Sequence, residues 1–109
     1  MNKYTVVHYT ENGRDIFQEW FDDLRDDKGQ KAIDRVVVRL EHDNFGDNRY
    51  CRDGVWKLKI NVSAGYRVYY SMVGEVVILL LCAGSKRTQQ RDIDKAVECL
   101  KEFKRRNKI

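Results

Sequence analysis

The sequence has no proline, only two histidines and only three cysteines, and each scarcity closes off a class of explanation. With no proline, no repeat and no low-complexity tract, nothing marks a linker. The 109 residues are therefore expected to form one domain, 1–109, around a single core. Cys51, Cys82 and Cys99 are odd in number and show no CxxC spacing, which indicates neither a disulfide framework nor a zinc site. Cys82 and Cys99 read as small core residues, and Cys51 falls in a turn-rich loop. The longest apolar run, Val76–Cys82, is far too short to span a bilayer, and MNKYTVVHYT lacks the apolar stretch of a signal peptide. A reducing, cytoplasmic setting without a membrane partner is expected. His8 is expected to pack within a strand and His42 to close a helix end, so no Ser-His-Asp or Cys-His arrangement can be assembled. Gly84-Ser85-Lys86 lacks the second glycine and the Lys-Ser/Thr ending of a nucleotide-binding phosphate loop. Neither a metal nor a cofactor is expected.

What the chain does have is charge, unevenly distributed. The net charge is +4, but residues 1–50 carry −3 and residues 51–109 carry +7. Such segregation points to a phosphate-bearing partner for the second half.

The pattern of apolar residues predicts an α+β domain. Residues 3–10 have β-rich composition and predict an N-terminal strand, which Asn12-Gly13 breaks and where a helix cap can begin. Ile16, Phe17, Trp20, Phe21 and Leu24 form one helical stripe. Asp26 or Asp27 caps a second helix carrying Ile33, Val36, Val37 and Leu40, and the short connection predicts an antiparallel helical hairpin. Residues 43–54 read as a loop. An antiparallel β-meander follows, with connections at 61–65 and at Val73-Gly74 and with Val76–Cys82 as a strand covered on both faces. A C-terminal helix starts near Thr88 and buries Ile93, Ala96, Val97, Leu100 and Phe103. Its basic end, Lys104–Lys108, complements the helix dipole.

The candidate chemistry lies on the meander. Strand side chains alternate, so Trp56, Leu58 and Ile60 point one way and Lys57 and Lys59 the other. If Trp56 and Val68 share the buried side, Lys57, Lys59 and Arg67 converge on an open face, with Tyr66 or Tyr69 available to stack a base. Arg67 is expected to lie exposed there and to contribute little to packing. Lys86, Arg87, Gln89 and Arg91 cluster near the start of the last helix, whose free amides favour anions. Such a surface can bind phosphate without chemistry. It can also cleave RNA without a metal, because RNA supplies its own 2′-OH nucleophile and needs only alignment, charge stabilisation and proton transfer.

The segments GVWKLKI, GYRVYY and VVILLLCAGSKRTQQRDIDKA, with FQEWFDDLRD and DNFGD upstream, resemble the RelE/HigB toxin superfamily in its addiction-module killer protein branch. The resemblance runs from about Ile16 to Val97. It implies a RelE-like small RNase fold and a cytoplasmic toxin that cleaves mRNA on the ribosome. It also implies a helix-turn-helix antitoxin as partner, and operator DNA only through that antitoxin. By the same resemblance Arg67 clamps the scissile phosphate, Lys86 assists, and Lys59, less directly Lys57, moves protons. This chain departs from the family pattern in having Lys57-Leu58-Lys59-Ile60 where the family usually reads ELRI, Ala64 for a proline, and Ala83-Gly84-Ser85-Lys86 for Gly-Gly-Asp-Lys. A non-catalytic RNA- or ribosome-binding module, and a protein that only holds its partner on DNA, are the rival expectations.

Overall fold

A computed structural model describes residues 3–109. Its central sheet has strand order β1-β7-β6-β5-β4, built from Thr5–His8 (β1), Asn48–Arg52 (β4), Val55–Ile60 (β5), Tyr66–Val73 (β6) and Val77–Ser85 (β7). β1 runs parallel to β7, and the other neighbours are antiparallel. Thr10–Glu11 (β2) and Arg14–Asp15 (β3) form a separate small hairpin. The helices are Ile16–Asp23 (α1), Asp27–Glu41 (α2) and Gln89–Arg106 (α3), the last entered through a 3-10 turn, Lys86–Thr88. The expected α+β class and order of elements are present, with two differences. Asn12-Gly13 is not a helix cap. Both residues have positive φ (53° and 79°), as a two-residue hairpin turn requires, and the cap of α1 is Asp15, whose carboxylate accepts from Gln18 N. The stretch read as a loop over 43–54 contains edge strand β4, so Cys51 lies in a strand. Turn residues flank a strand of only five residues whose exposure does not alternate, so no period-two pattern marks it.

Because β7 lies between β1 and β6 it is buried on both faces, and this splits the core. Ile78 and Leu80 join Leu58, Val68 and Tyr70 under α1 and α2, whereas Leu79, Leu81 and Cys82 join Val55 and Tyr69 under α3. A domain of this size was expected to have one core; it has two thin ones with the sheet between them. Leu81 and Cys82 fall on the same side because the register slips between Tyr69 and Tyr70, which leaves Leu81 as the extra residue of a bulge. Burial in the α3 layer holds the Cys82 and Cys99 thiols above their usual range, as suits core residues. α1 rests on β7 while α2 reaches β1 and β5, so the sheet, more than mutual packing, holds this helix pair. His8 is half-buried, its ring edge-on to Phe17 and its Nδ1 2.7 Å from Asp15 Oδ2. His42 occupies the C-cap of α2.

Tyr66 fastens the second helix to the sheet. Its hydroxyl donates to Asp26 Oδ2 at 2.5 Å, while Asp26 Oδ1, as the N-cap of α2, accepts from Gly29 N at 3.0 Å. The bond to Asp26 pushes the Tyr66 phenol up to about 12, and the same bond, followed by the Gly29 amide, holds the Asp26 carboxyl below its usual value. Gly29 makes room for this arrangement. A Cβ there would stand 2.5 Å from Asp26 Oδ2 and 2.7 Å from Tyr66 Cε2.

Gly29→Ala would add about 0.5–1 kcal/mol of helix propensity in an open helix. Here it should lower stability in urea denaturation, and a gain would show that Tyr66 yields freely. Asp26→Asn keeps a capping oxygen but loses the charge. Asp26 titrates below its unfolded value, so its contribution is complete above about pH 4 and is lost as pH falls through the folded pKa. The parent should therefore exceed Asp26→Asn in stability near pH 6, and the gap should close on acidification. A gap independent of pH would assign the effect to packing.

Candidate functional site

α3 covers only part of its sheet face, and the way its first turn is seated decides which part stays open. Asp92, 9% exposed, accepts from Thr88 Oγ1 at 2.5 Å and lies directly over Gly84, where any Cβ would overlap its carboxylate. The bare backbone of β7 at Gly84 thus lets the helix approach. The Ser85 hydroxyl accepts from Arg87 N and closes the 3-10 turn. Past this turn, at the end of β5 and the start of β6, the sheet face is left to polar residues.

The register places them as alternation predicts. Leu58 pairs with Val68, Lys59 with Arg67 and Lys57 with Tyr69, so Lys57, Lys59 and Arg67 do share a face. Arg49 of β4 lies opposite Lys57 and extends the cationic row to the sheet edge. Reading that segment as a loop hid Arg49; Asn48–Arg52 alternates in neither polarity nor burial and its register breaks at Tyr50/Arg52, so only pairing with β5 reveals the strand. Gln89, in the first turn of α3, ties the group together. Its Oε1 accepts from Lys57 Nζ at 2.9 Å and from Arg67 Nε at 3.2 Å, and its Nε2 donates to Lys86 O at 3.1 Å. Arg67 Nη1 donates to Tyr66 O at 2.9 Å. Gly65, at φ 86°, accepts at its carbonyl from Lys86 N, and a Cβ there would stand 3.4 Å from Lys86 Cβ and 3.9 Å from Arg67 Nη1. Lys86 and Arg67 thus flank the same glycine.

Three expectations need correction. Arg67 is not exposed: only 3% of its surface is accessible, because Gln89 and the Lys86 turn close over it. Tyr69 offers no ring to a base. It is fully buried under α3, its hydroxyl finds no partner among the described residues, and burial followed by the nearby Asp92 pushes its phenol well up. Tyr66 cannot stack a base either, since its side chain points to the opposite face, edge-on to Trp20 and bonded to Asp26. Lys57 and Lys59 are half-buried, and Lys86, Arg87 and Arg91 are exposed. Arg91 touches Asp92 at 3.8 Å.

Charge is the distinguishing property of the cluster. Among the described residues none of Lys57, Lys59, Arg67, Lys86 and Arg87 forms an ion pair, and Arg67 is bonded only to neutral oxygens. A buried guanidinium normally has a carboxylate partner. One held by an amide and a carbonyl keeps its charge and spare N–H groups for an outside anion. Among the described residues no group of three or more His, Cys, Asp or Glu is placed to hold a metal ion, and no helix is long and apolar enough to cross a membrane.

No family model matches the chain. A protein of Haemophilus influenzae, described as uncharacterized, is 38% identical over 80 residues, covering 73% of this chain and 81% of that protein.

Gln89→Glu should balance the charge of this cluster from within. The new carboxylate would pair with Lys57 and Arg67, so thermal stability should rise while affinity for RNA falls. Gln89→Leu should instead lower stability by about 1–3 kcal/mol, the cost of leaving the buried Arg67 Nε–H without an acceptor. Undiminished RNA binding by Gln89→Glu would remove this cluster from RNA recognition.

Proposed function

The chain belongs to the same family as the Haemophilus influenzae protein, and we propose that it is the toxin of a type II toxin–antitoxin module, a metal-independent, ribosome-dependent mRNA endoribonuclease that inhibits translation. The observation that carries this reading is the nearly buried Arg67, held by neutral acceptors beside Lys57, Lys59 and Lys86, none of which pairs with a carboxylate among the described residues. A phosphodiester supplies the missing charge, and the guanidinium fork can bind two of its oxygens at once. The resemblance of the meander and its basic turn to the RelE/HigB toxins supports the RelE-like assignment and the choice of RNA.

In this reading Arg67 binds the non-bridging oxygens of the scissile phosphate and Lys86 assists from across Gly65. The 2′-oxygen attacks phosphorus, the bond to the 5′-oxygen breaks, and a 2′,3′-cyclic phosphate and a 5′-hydroxyl result. One proton leaves the attacking oxygen and one reaches the departing oxygen. Lys59, opposite Arg67 on the neighbouring strand, carries this traffic, with Lys57 second. Gln89 is a positioning residue: its single oxygen fixes both Lys57 and Arg67. Arg87 and Arg91 extend the surface toward flanking phosphates. The partners are mRNA, the ribosome and a helix-turn-helix antitoxin that contacts operator DNA, all in the cytoplasm.

A second reading has its own support. Tyr66 and Tyr69 are committed to the two cores, which leaves lysines as the proton carriers. The same surface would then serve an RNA- or ribosome-binding module without turnover.

Cleavage separates the two. Because Arg67 is buried, an alanine there would confound loss of contact with loss of stability, so Arg67→Lys is the sharper probe. It keeps the charge, loses the fork, and should reduce cleavage about a hundredfold, roughly 3 kcal/mol of transition-state stabilisation. Chelator should not stop the reaction beyond its effect on ribosome integrity, and mapped ends should carry 5′-hydroxyls. Products with 5′-phosphates, or mRNA left intact in translation reactions that contain the bound protein, would exclude the proposed chemistry.

A further inference from the structure

The first half of the chain is acidic in sum, yet α2 sorts its charges by side. Lys28, Lys31, Arg35 and Arg39 fall within an arc of about 80° along roughly 16 Å of helix, while Asp27, Asp34 and Glu41 lie on the opposite flank. Among the described residues none of these four cations forms an ion pair. They also line a groove. Two adjoining depressions of about 220 and 260 Å³ share Ala32, Arg35 and Val62, the first walled by Lys28 and Lys31 and the second by Arg39 and Lys59. The one acid in the wall, Asp47, is paired with Arg49 at 3.3 Å. Lys59 is also the cross-strand neighbour of Arg67. The Lys59 backbone N–H donates to Asp47 O just beyond β4, at the sheet edge. The groove lies on the helix-pair face and the cationic cluster on the α3 face, so the two meet around that edge at Lys59.

We propose that this groove carries a single RNA strand onward from the Arg67 site, holding its phosphates with Lys28, Lys31, Arg35 and Arg39. The inference rests on reading the Arg67 cluster as an RNA site. Charge selects the occupant. A cationic wall whose acid is neutralised suits a polyanion, and a flexible single strand can pass round the sheet edge at Lys59 from the cluster to the groove. Val62 and Ala32 add apolar floor against which sugars and base edges can lie. Strand binding of this kind tracks the backbone rather than the sequence.

The test uses 2′-O-methyl oligonucleotides, which cannot be cut, so it reads binding whether or not the protein cleaves RNA. A short probe of about four nucleotides fills the Arg67 cluster alone, and one of about twelve enters the groove. The double variant Arg35→Glu, Arg39→Glu should bring the affinity of the long probe down toward that of the short one, which is itself unchanged. The slope of log affinity against log salt for the long probe should become shallower by about 1 to 1.5. Both positions are exposed, and Arg35→Gln, Arg39→Gln should show the same effect at smaller size if charge reversal disturbs folding. Equal losses for both probes would mean a general field effect and overturn the groove. Unchanged binding of both would do the same, and so would loss confined to an acidic protein partner. Absence of cleavage in the parent would defeat the nuclease reading alone, because the length dependence is measured without turnover.

Discussion

The contact between Asp92 and the bare backbone at Gly84 is the constraint from which the rest of the surface follows. It sets how closely α3 approaches β7 and therefore where the helix stops covering the sheet. Below that point Tyr69, Leu79, Leu81 and Leu100 exclude water. Above it, the first turn of α3 reaches Lys57 and Arg67 with one amide side chain and no more. A β-carbon at Gly84 would push the carboxylate off the strand, and Gln89 would move with the turn that Asp92 and Thr88 hold. The cationic cluster is thus a by-product of helix seating: the sheet residues are the same, and the position of one turn decides which are core and which lie at the rim of the helix.

The choice of an amide at the centre of the cations has a physical consequence. A carboxylate at that point would satisfy Lys57 and Arg67 and leave nothing for a ligand, because an ion pair in a partly dry site is hard to displace. An amide oxygen orients both cations and leaves their charge uncancelled. In the proposed site this leaves charge repulsion in the free protein that a bound anion would relieve. The carboxylates of the neighbourhood are occupied elsewhere, Asp92 by Thr88, Asp94 by Arg52 and Asp47 by Arg49.

The aromatic residues show the converse. Tyr66, Tyr69 and Tyr70 stand in one strand, yet alternation sends the middle ring under α3 and the outer two under the helix pair. Thin cores on both sides of a sheet need large side chains to fill them. Three of the chain's tyrosines are spent in this way, so the face around Arg67 is built from aliphatic stems and charged ends.

Much of this was legible in the sequence. Period-two alternation fixed the common face of Lys57, Lys59 and Arg67, helical stripes located α1, α2 and α3, and Asp26 or Asp27 marked the start of α2, because each signal is local; the structure selects Asp26 as the cap. What the sequence left open depends on contacts between distant segments. Burial of Arg67 and Tyr69 follows from where α3 lands on the sheet, the role of Gln89 from a turn 22 residues beyond Arg67, and the strand at Asn48–Arg52 from pairing with β5. The basic flank of α2 was present in the spacing of Lys28, Lys31, Arg35 and Arg39, but a net charge summed over residues 1–50 cancelled it. Only the tertiary structure set that flank against Val62 and Lys59, because whether like charges line one groove or scatter over a surface is decided by the neighbour each helix face is given.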